Sequence, residues 1–198
     1  MDSVGRNEAT ARITKALCRM TLFPFFCLET AGKENLPKKS AFILLPKHQR
    51  WEDIPLLSLA TPRSLYYIAK HELFRNPAGS WFIRSVGGIP INRDRPLESR
   101  RSLKKIIEHL REEEGVVVFP EGTYFRDQMG PGHAGIVRLI LSRLTLPFIP
   151  VGISYSGDGP RKTVRIRFGQ AVFGDSSVPA KEFLDHMMKK IAQLSGLS

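Results

Sequence analysis

The sequence is poor in cysteine: it has two, Cys18 and Cys27, both near the N-terminus. Two cysteines make no disulfide framework, so the fold is expected to rest on its apolar core, in a reducing cytoplasmic setting. Long apolar runs are also missing. The densest patch, Leu22-Phe23-Pro24-Phe25-Phe26-Cys27-Leu28, is broken by proline and falls short of the roughly 20 residues that cross a bilayer. The opening residues, Met-Asp-Ser-Val-Gly, show no cleavable signal pattern. There is no phosphate-binding loop ending in Gly-Lys-Ser/Thr, no dinucleotide glycine fingerprint and no Gly-x-Ser-x-Gly elbow. No Cys/His group has zinc spacing, so no metal is expected. Internal repeats and low-complexity tracts are absent too.

What the chain does have is positive charge. Its 198 residues carry a formal net charge of +11, which fits nucleic acid, an anionic membrane or a polyanionic substrate as partner. The length suits one domain with a sizeable core, and a hydrophobic fraction of 42% is that of a globular chain. Short apolar runs that read as buried strands alternate with amphipathic helical stretches. The expected architecture is therefore α/β: one domain, with a mixed, mostly parallel sheet flanked by helices. We divide the chain into an N-terminal amphipathic segment, residues 1–30, and a main domain, residues 31–198. From Ala9 the first segment is helical in pattern, with Ile13, Leu17 and Met20 near one face and Arg12, Lys15 and Arg19 elsewhere. A basic amphipathic helix followed by a phenylalanine cluster suits a membrane-surface anchor. The alternative is a helix whose apolar side packs onto the domain.

The chain is organised around Pro46-Lys47-His48-Gln49-Arg50-Trp51-Glu52-Asp53-Ile54-Pro55. The unbroken run Ala41-Phe42-Ile43-Leu44-Leu45 feeds into it as a buried strand. Asp53, Ile54 and Pro55 read as a helix start with an acceptor at the cap and proline in the first turn. His48 thus falls on a strand-to-helix turn. On one helix, His48 and Asp53 would point about 140° apart. A turn between them lets the carboxylate reach the imidazole, fix its tautomer and leave the other nitrogen free as a general base. No nearby Ser or Cys offers a nucleophile, so the proton would come from substrate. The alternative is a hydrogen-bonded loop histidine without a chemical role.

Farther along, Leu65-Tyr66-Tyr67-Ile68-Ala69 reads as a strand delivering Lys70, His71 and Glu72 to its end. Leu73–Val86 reads as a short helix, and Gly87–Arg93 as a short strand with Arg93 at its end. Arg93 suits a forked grip on phosphate or a solvated loop position. Pro96–Glu114 has helical spacing. Val116–Phe119 is a buried strand running into Pro120-Glu121-Gly122-Thr123, where turn N–H groups and the Thr123 hydroxyl can face an anion. His133–Leu144 reads as a helix, Leu146–Ile153 as a strand, Thr163–Val172 as a half-exposed strand near the sheet edge, and Pro179–Leu194 as the last helix. His71 and His133 read as a surface residue and a helix-start residue.

Four stretches in order, His48-x-x-x-x-Asp53, Gly88-Ile89-Pro90-Ile91-Asn92-Arg93, Phe119-Pro120-Glu121-Gly122-Thr123 and Ile149-Pro150-Val151-Gly152, resemble the glycerolipid acyltransferases. Within that family the match is to the 1-acylglycerol-3-phosphate (lysophosphatidate) acyltransferases, and Tyr67–Phe74 is similar as well. The resemblance covers residues 41–154. It implies transfer of a fatty acyl group from acyl-CoA or acyl-carrier protein to a lysolipid hydroxyl in phospholipid biosynthesis. It implies no cofactor beyond that co-substrate; taken with the basic surface and the amphipathic N-terminal segment, the expected location is peripheral, on the cytoplasmic face of a membrane. By resemblance, His48 is the general base and Asp53 orients it. Gln49, Arg50, Lys70, Arg93, Pro120, Glu121, Gly122 and Thr123 form the substrate site, with Pro150 shaping its apolar side. Tyr124 stands where the family often has arginine, so an acceptor with a different head group is an alternative. Arg50 replaces a residue that is often small, and Glu52 offers a second carboxylate beside Asp53. A non-catalytic basic module binding lipid or nucleic acid is the reading from a different class. It leaves His48 idle, and the chain lacks the aromatic residues interleaved with basic ones that single-strand binders use. Nucleic acid is therefore not expected as a partner.

Overall fold

The computed structural model describes residues 6–92, 99–174 and 177–197. Its centre is a sheet whose strands are β1 (Phe26–Ala31), β2 (Phe42–Pro46), β3 (Tyr66–Lys70), β4 (Gly88–Ile91), β5 (Gly115–Val117), β6 (Pro147–Ser156), β7 (Lys162–Phe168) and β8 (Val172–Phe173). The spatial order is β1-β7-β6-β2-β5-β3-β4, with β8 also pairing β6. Strands β6, β2, β5, β3 and β4 run parallel to one another; β7 and β8 run antiparallel to β6, and β1 runs parallel to β7. The expected mixed, mostly parallel sheet is what forms.

The helices are α1 (Glu8–Leu22), α2 (Asp53–Ala60), α3 (Pro77–Ser85), α4 (Arg100–Arg111), α5 (Gly135–Leu141) and α6 (Ala180–Ser195). Parallel strands covered on both faces should be apolar at every position, and β2 is buried throughout. Successive side chains split between two cores. Ile43 and Leu45 join Ile106, Leu110, Ile140 and Met187 under α4, α5 and α6. Phe42 and Leu44 join Leu22, Leu56 and Leu57 under α1 and α2. Gly152 lets α6 close onto β6, because a Cβ there would collide with the Leu194 backbone.

Several boundaries differ from the sequence reading. The phenylalanine patch does not stay apart as a wedge. Phe26 is buried, and β1 pairs with β7 along Phe26–Ala31, so the proposed boundary at residue 30 falls within a strand of the sheet. Alternation alone could not show that β7 needed a partner on its outer side. The helix expected over Leu73–Val86 is a 3-10 turn, His71–Phe74, followed by α3. Asn76 accepts from the N–H groups of Ala78 and Gly79, and Pro77 opens the helix, a start signal inside the apolar stretch. The strand expected to Val172 ends at Phe168 and resumes as β8. Arg93 lies outside the described residues.

Helix α1 is capped by the Asn7 side chain, which accepts from the N–H groups of Ala9 and Thr10. Its apolar stripe faces outward: Ile13, Leu17 and Met20 are exposed, Met20 by 74%, while Ala11 and Leu22 face the domain. The alternative in which that stripe packs inward is therefore wrong. No described helix is long and apolar enough to cross a membrane.

Candidate active site

Parallel strands that end together bring their C-terminal turns to one edge of the sheet. Strand β2 ends at Pro46, and the next residues, Lys47 to Glu52, loop into α2. The His48 Nδ1 lies 3.1 Å from the Asp53 Oδ2. Asp53 is fully buried and His48 is 7% exposed. The ring lies stacked on Phe119, centroids 3.9 Å apart, and Tyr124 meets it edge-on at 4.5 Å. A carboxylate on Nδ1 favours the tautomer with its proton there, which leaves the Nε2 lone pair available.

Asp53 is the first residue of α2, and its carboxylate turns back onto the preceding loop. Its Oδ2 accepts from the backbone N–H groups of Gln49 at 2.6 Å and Arg50 at 2.8 Å, as well as facing His48. The expected helix-cap bond is not made; the carboxylate instead closes the preceding turn. Folding back is how residues five apart in sequence come together. Oδ1 accepts from the Tyr155 hydroxyl at 2.6 Å. Asp53, not Glu52, is thus the carboxylate beside His48.

The second organising turn locks onto the first. Lys47 is 0% exposed, and its Nζ donates to both oxygens of Glu121 at 2.8 Å and to the Phe125 carbonyl at 2.7 Å. Glu121 also accepts from the backbone N–H groups of His48 at 2.9 Å and Gly130 at 2.6 Å. An ion pair satisfied this fully fixes the relative position of the β2 and β5 turns.

A model of the Acyltransferase family matches residues 27–154, a span that contains both turns and the strands bearing them. The chain belongs to the Acyltransferase family. It is 30% identical over 148 residues to 1-acyl-sn-glycerol-3-phosphate acyltransferase BAT2, chloroplastic, of Brassica napus, covering 73% of this chain and 42% of that one. To 1-acyl-sn-glycerol-3-phosphate acyltransferase of Bacillus subtilis it is 38% identical over 93 residues, 46% of each. A lyso-ornithine lipid O-acyltransferase of Pseudomonas aeruginosa is 30% identical over 123 residues, 61% of this chain and 46% of that one. The chain spans under half the length of these curated relatives. The crystal structure of PlsC, the 1-acyl-sn-glycerophosphate acyltransferase from Thermotoga maritima, superposes with a TM-score of 0.73 at 23% identity. That alignment covers 94% of this chain and 78% of that one, and it shows a shared fold.

Two cavities flank the acyltransferase turns. An apolar one of about 490 Å³ lies between α1, α2, β3 and α3, with His48, Phe119, Tyr124, Ser58, Tyr67 and Ile68 among its lining residues. Burial raises the Tyr67 phenol above its ordinary value, so that group stays neutral. A second cavity, about 800 Å³, opens on the α4–α5 side, with His133, Arg138 and Lys181 among its lining residues. Lys70, Gly122 and Thr123 border both.

The structure sorts the remaining site candidates. Lys70 and Thr123 are exposed where the cavities meet. Gly122 lies there too, at φ 70°, but its N–H is taken by the Phe119 carbonyl at 3.1 Å. Gln49 is 3% exposed and bonded within the protein: its Nε2 donates to the Ile153 carbonyl and its Oε1 accepts from Asp127 N–H. Glu121 is turned inward onto Lys47, and Pro120 is buried with its carbonyl accepting from His133 N–H. All three shape the site from behind. Arg50 places its guanidinium 4.6 Å from the Tyr155 ring centroid. Lys47 and Tyr155 were missed by the sequence reading. The one available signal for Lys47 was a lysine directly continuing an unbroken apolar strand, a place where charge requires a buried partner.

Proposed function

We propose that this protein is a 1-acylglycerol-3-phosphate O-acyltransferase, moving a fatty acyl group from acyl-CoA or acyl-carrier protein to a lysophospholipid hydroxyl. The observation that carries this is the His48–Asp53 pair set in the wall of an apolar cavity of about 490 Å³. The Nε2 of His48 takes the proton of the acceptor hydroxyl as its oxygen attacks the thioester carbonyl. The carbon–sulfur bond then breaks, and the departing thiolate recovers the proton from the imidazolium. Asp53 holds the ring and stabilises that imidazolium. General-base help is worth about a hundredfold to ten-thousandfold, and alignment of hydroxyl with thioester about 7–11 kcal/mol. Lys70, Thr123 and Gly122 border the head-group site, to which the family resemblance would add Arg93, and the larger cavity takes the phosphorylated parts of the substrates.

A second acceptor is favoured by one feature. Tyr124 occupies the place after Gly122-Thr123 and packs on His48, where arginine would grip phosphate. An uncharged or zwitterionic lysolipid head group suits that position, and one relative is named for lyso-ornithine lipid. Lipid mass spectrometry of products from a panel of lysolipid acceptors, with acyl-CoA and acyl-carrier protein in parallel, decides between them. A new acyl-ester on lysophosphatidate is the expected result. Product only on another lysolipid selects the second reading, and no product on any acceptor overturns both.

The protein works at the cytoplasmic face of an anionic membrane as a peripheral protein. Supporting this are the outward stripe Ile13, Leu17 and Met20, the exposed Phe25, and exposed Leu73 and Phe82 in the wall of the apolar cavity. With a net charge of +11, apolar insertion and attraction to anionic lipid act together. Changing Ile13, Leu17 and Met20 together to aspartate is expected to weaken co-sedimentation with anionic vesicles at least about tenfold, each apolar side chain being worth on the order of 1 kcal/mol or more. Unchanged sedimentation places the membrane contact elsewhere.

A further inference from the structure

We propose that Tyr155, on β6, is a positioning residue for the His48–Asp53 pair, acting through a hydrogen bond to the carboxylate oxygen that His48 does not use. This rests on the general-base reading above. Asp53 has two oxygens with separate duties. Oδ2 faces His48 Nδ1 and the N–H groups of Gln49 and Arg50; Oδ1 accepts from the Tyr155 hydroxyl at 2.6 Å. Asp53 is 0% exposed, so water does not substitute for that donor. A bond this short between hydroxyl and carboxylate is charge-assisted and directional. It fixes the rotation of the carboxylate about its own axis, and through Oδ2 the plane of the imidazole.

Tyr155 is itself held on two sides. The Arg50 guanidinium lies 4.6 Å from its ring centroid, and Phe26 of β1 meets it edge-on at 6.2 Å. Strand β1 thereby reaches the chemistry through one aromatic contact. Burial first, then the Asp53 charge, pushes the phenol above its ordinary value, so it remains a donor throughout the working range. Other charged or titratable groups around the pair are Glu52 and Arg50, Tyr124 against the His48 ring, and the buried Lys47–Glu121 ion pair, which bonds the His48 backbone carbonyl and N–H.

Removing the donor strengthens the pull of the Asp53 carboxylate on protons. The carboxylate then leaves more negative charge facing His48 Nδ1, which favours the protonated imidazole. The acid limb of the kcat/KM profile moves to higher pH. For Tyr155→Phe, which keeps the ring and both of its contacts, we expect kcat to fall about tenfold, KM for the lysolipid to hold, and the acid limb to rise by about 0.5 unit. Site-specific 3-fluorotyrosine at position 155 is a stronger donor of the same shape, and it should move the limb to lower pH with kcat near the native value. Opposite displacement by two nearly isosteric side chains is not something a packing role produces. If Tyr155→Phe leaves both kcat and the acid limb in place, or both variants move the limb the same way, the proposal is overturned. If instead the native protein transfers no acyl group, the titration of 15N-labelled His48 followed by NMR still decides the point: an imidazole pKa unchanged by Tyr155→Phe removes the coupling.

Discussion

Replacing His48 by alanine is expected to lower kcat/KM for thioester-dependent lysolipid acylation by at least about a hundredfold, with the circular dichroism spectrum unchanged. Among the described residues lining the apolar cavity, the His48 imidazole is the group that faces a buried carboxylate. Its backbone N–H, not its ring, bonds to Glu121, so the turn keeps that anchor when the ring is removed. His48→Ala is cleaner than Asp53→Asn for this reason. Asp53 also accepts from two backbone N–H groups of the turn, so its replacement mixes chemistry with local unfolding. Release of free thiol from acyl-CoA in the presence of lysolipid is the measurement. Activity within a few-fold of native would remove His48 from the reaction.

The second large effect is on stability. Lys47→Met is expected to destabilise the fold by about 3–5 kcal/mol, a fall in Tm of roughly 6–20 °C for a domain of this size. The cause is Glu121, which would be left as an uncompensated carboxylate with both side chains of the pair 0% exposed. The ion pair itself need not be worth that much, since desolvation offsets most of its attraction. The asymmetry gives the test its second arm. In Lys47→Met/Glu121→Gln no charge is buried, and the amide oxygen still accepts from His48 or Gly130 N–H. Most of the lost stability should return, while the looser turn lowers turnover. Urea denaturation of native, single and double variants measures this. A single variant costing less than about 1 kcal/mol would show that the carboxylate finds other support.

The two variants probe links of different kinds. One removes the proposed general base and leaves the frame intact; the other damages the frame and leaves that group in place. Gln49 and Glu121 belong to the frame: both fall within stretches that resemble the family's, and their polar atoms bond Ile153, Asp127, Lys47, His48 and Gly130.

Much of this was legible before any coordinates. Short β-branched and leucine runs gave β2, β5 and β6, because a strand covered on both faces must be apolar at every position. The spacing of His48 and Asp53 across a turn gave the pair, since only a reversal of the chain brings them together. Where the reading was wrong, distant partners decided. The patch of residues 22–28 is apolar enough for a membrane wedge, yet from Phe26 onward the chain is a strand, because it pairs with the outer side of β7. The helix start at Asn76 was missed as well, because it lies inside an apolar stretch that reads as one helix.

The amino-acid order alone settled the strand-and-helix alternation, the basic character and the histidine–carboxylate pair, since each is written in residues close together along the chain. Only the folded chain decided that Lys47 neutralises Glu121, 74 positions away, and that Tyr155 reaches Asp53 across 102. Those bonds join turns from different strands, and a buried polar group takes whichever complementary partner the packing brings within reach. Local sequence carries no record of that choice.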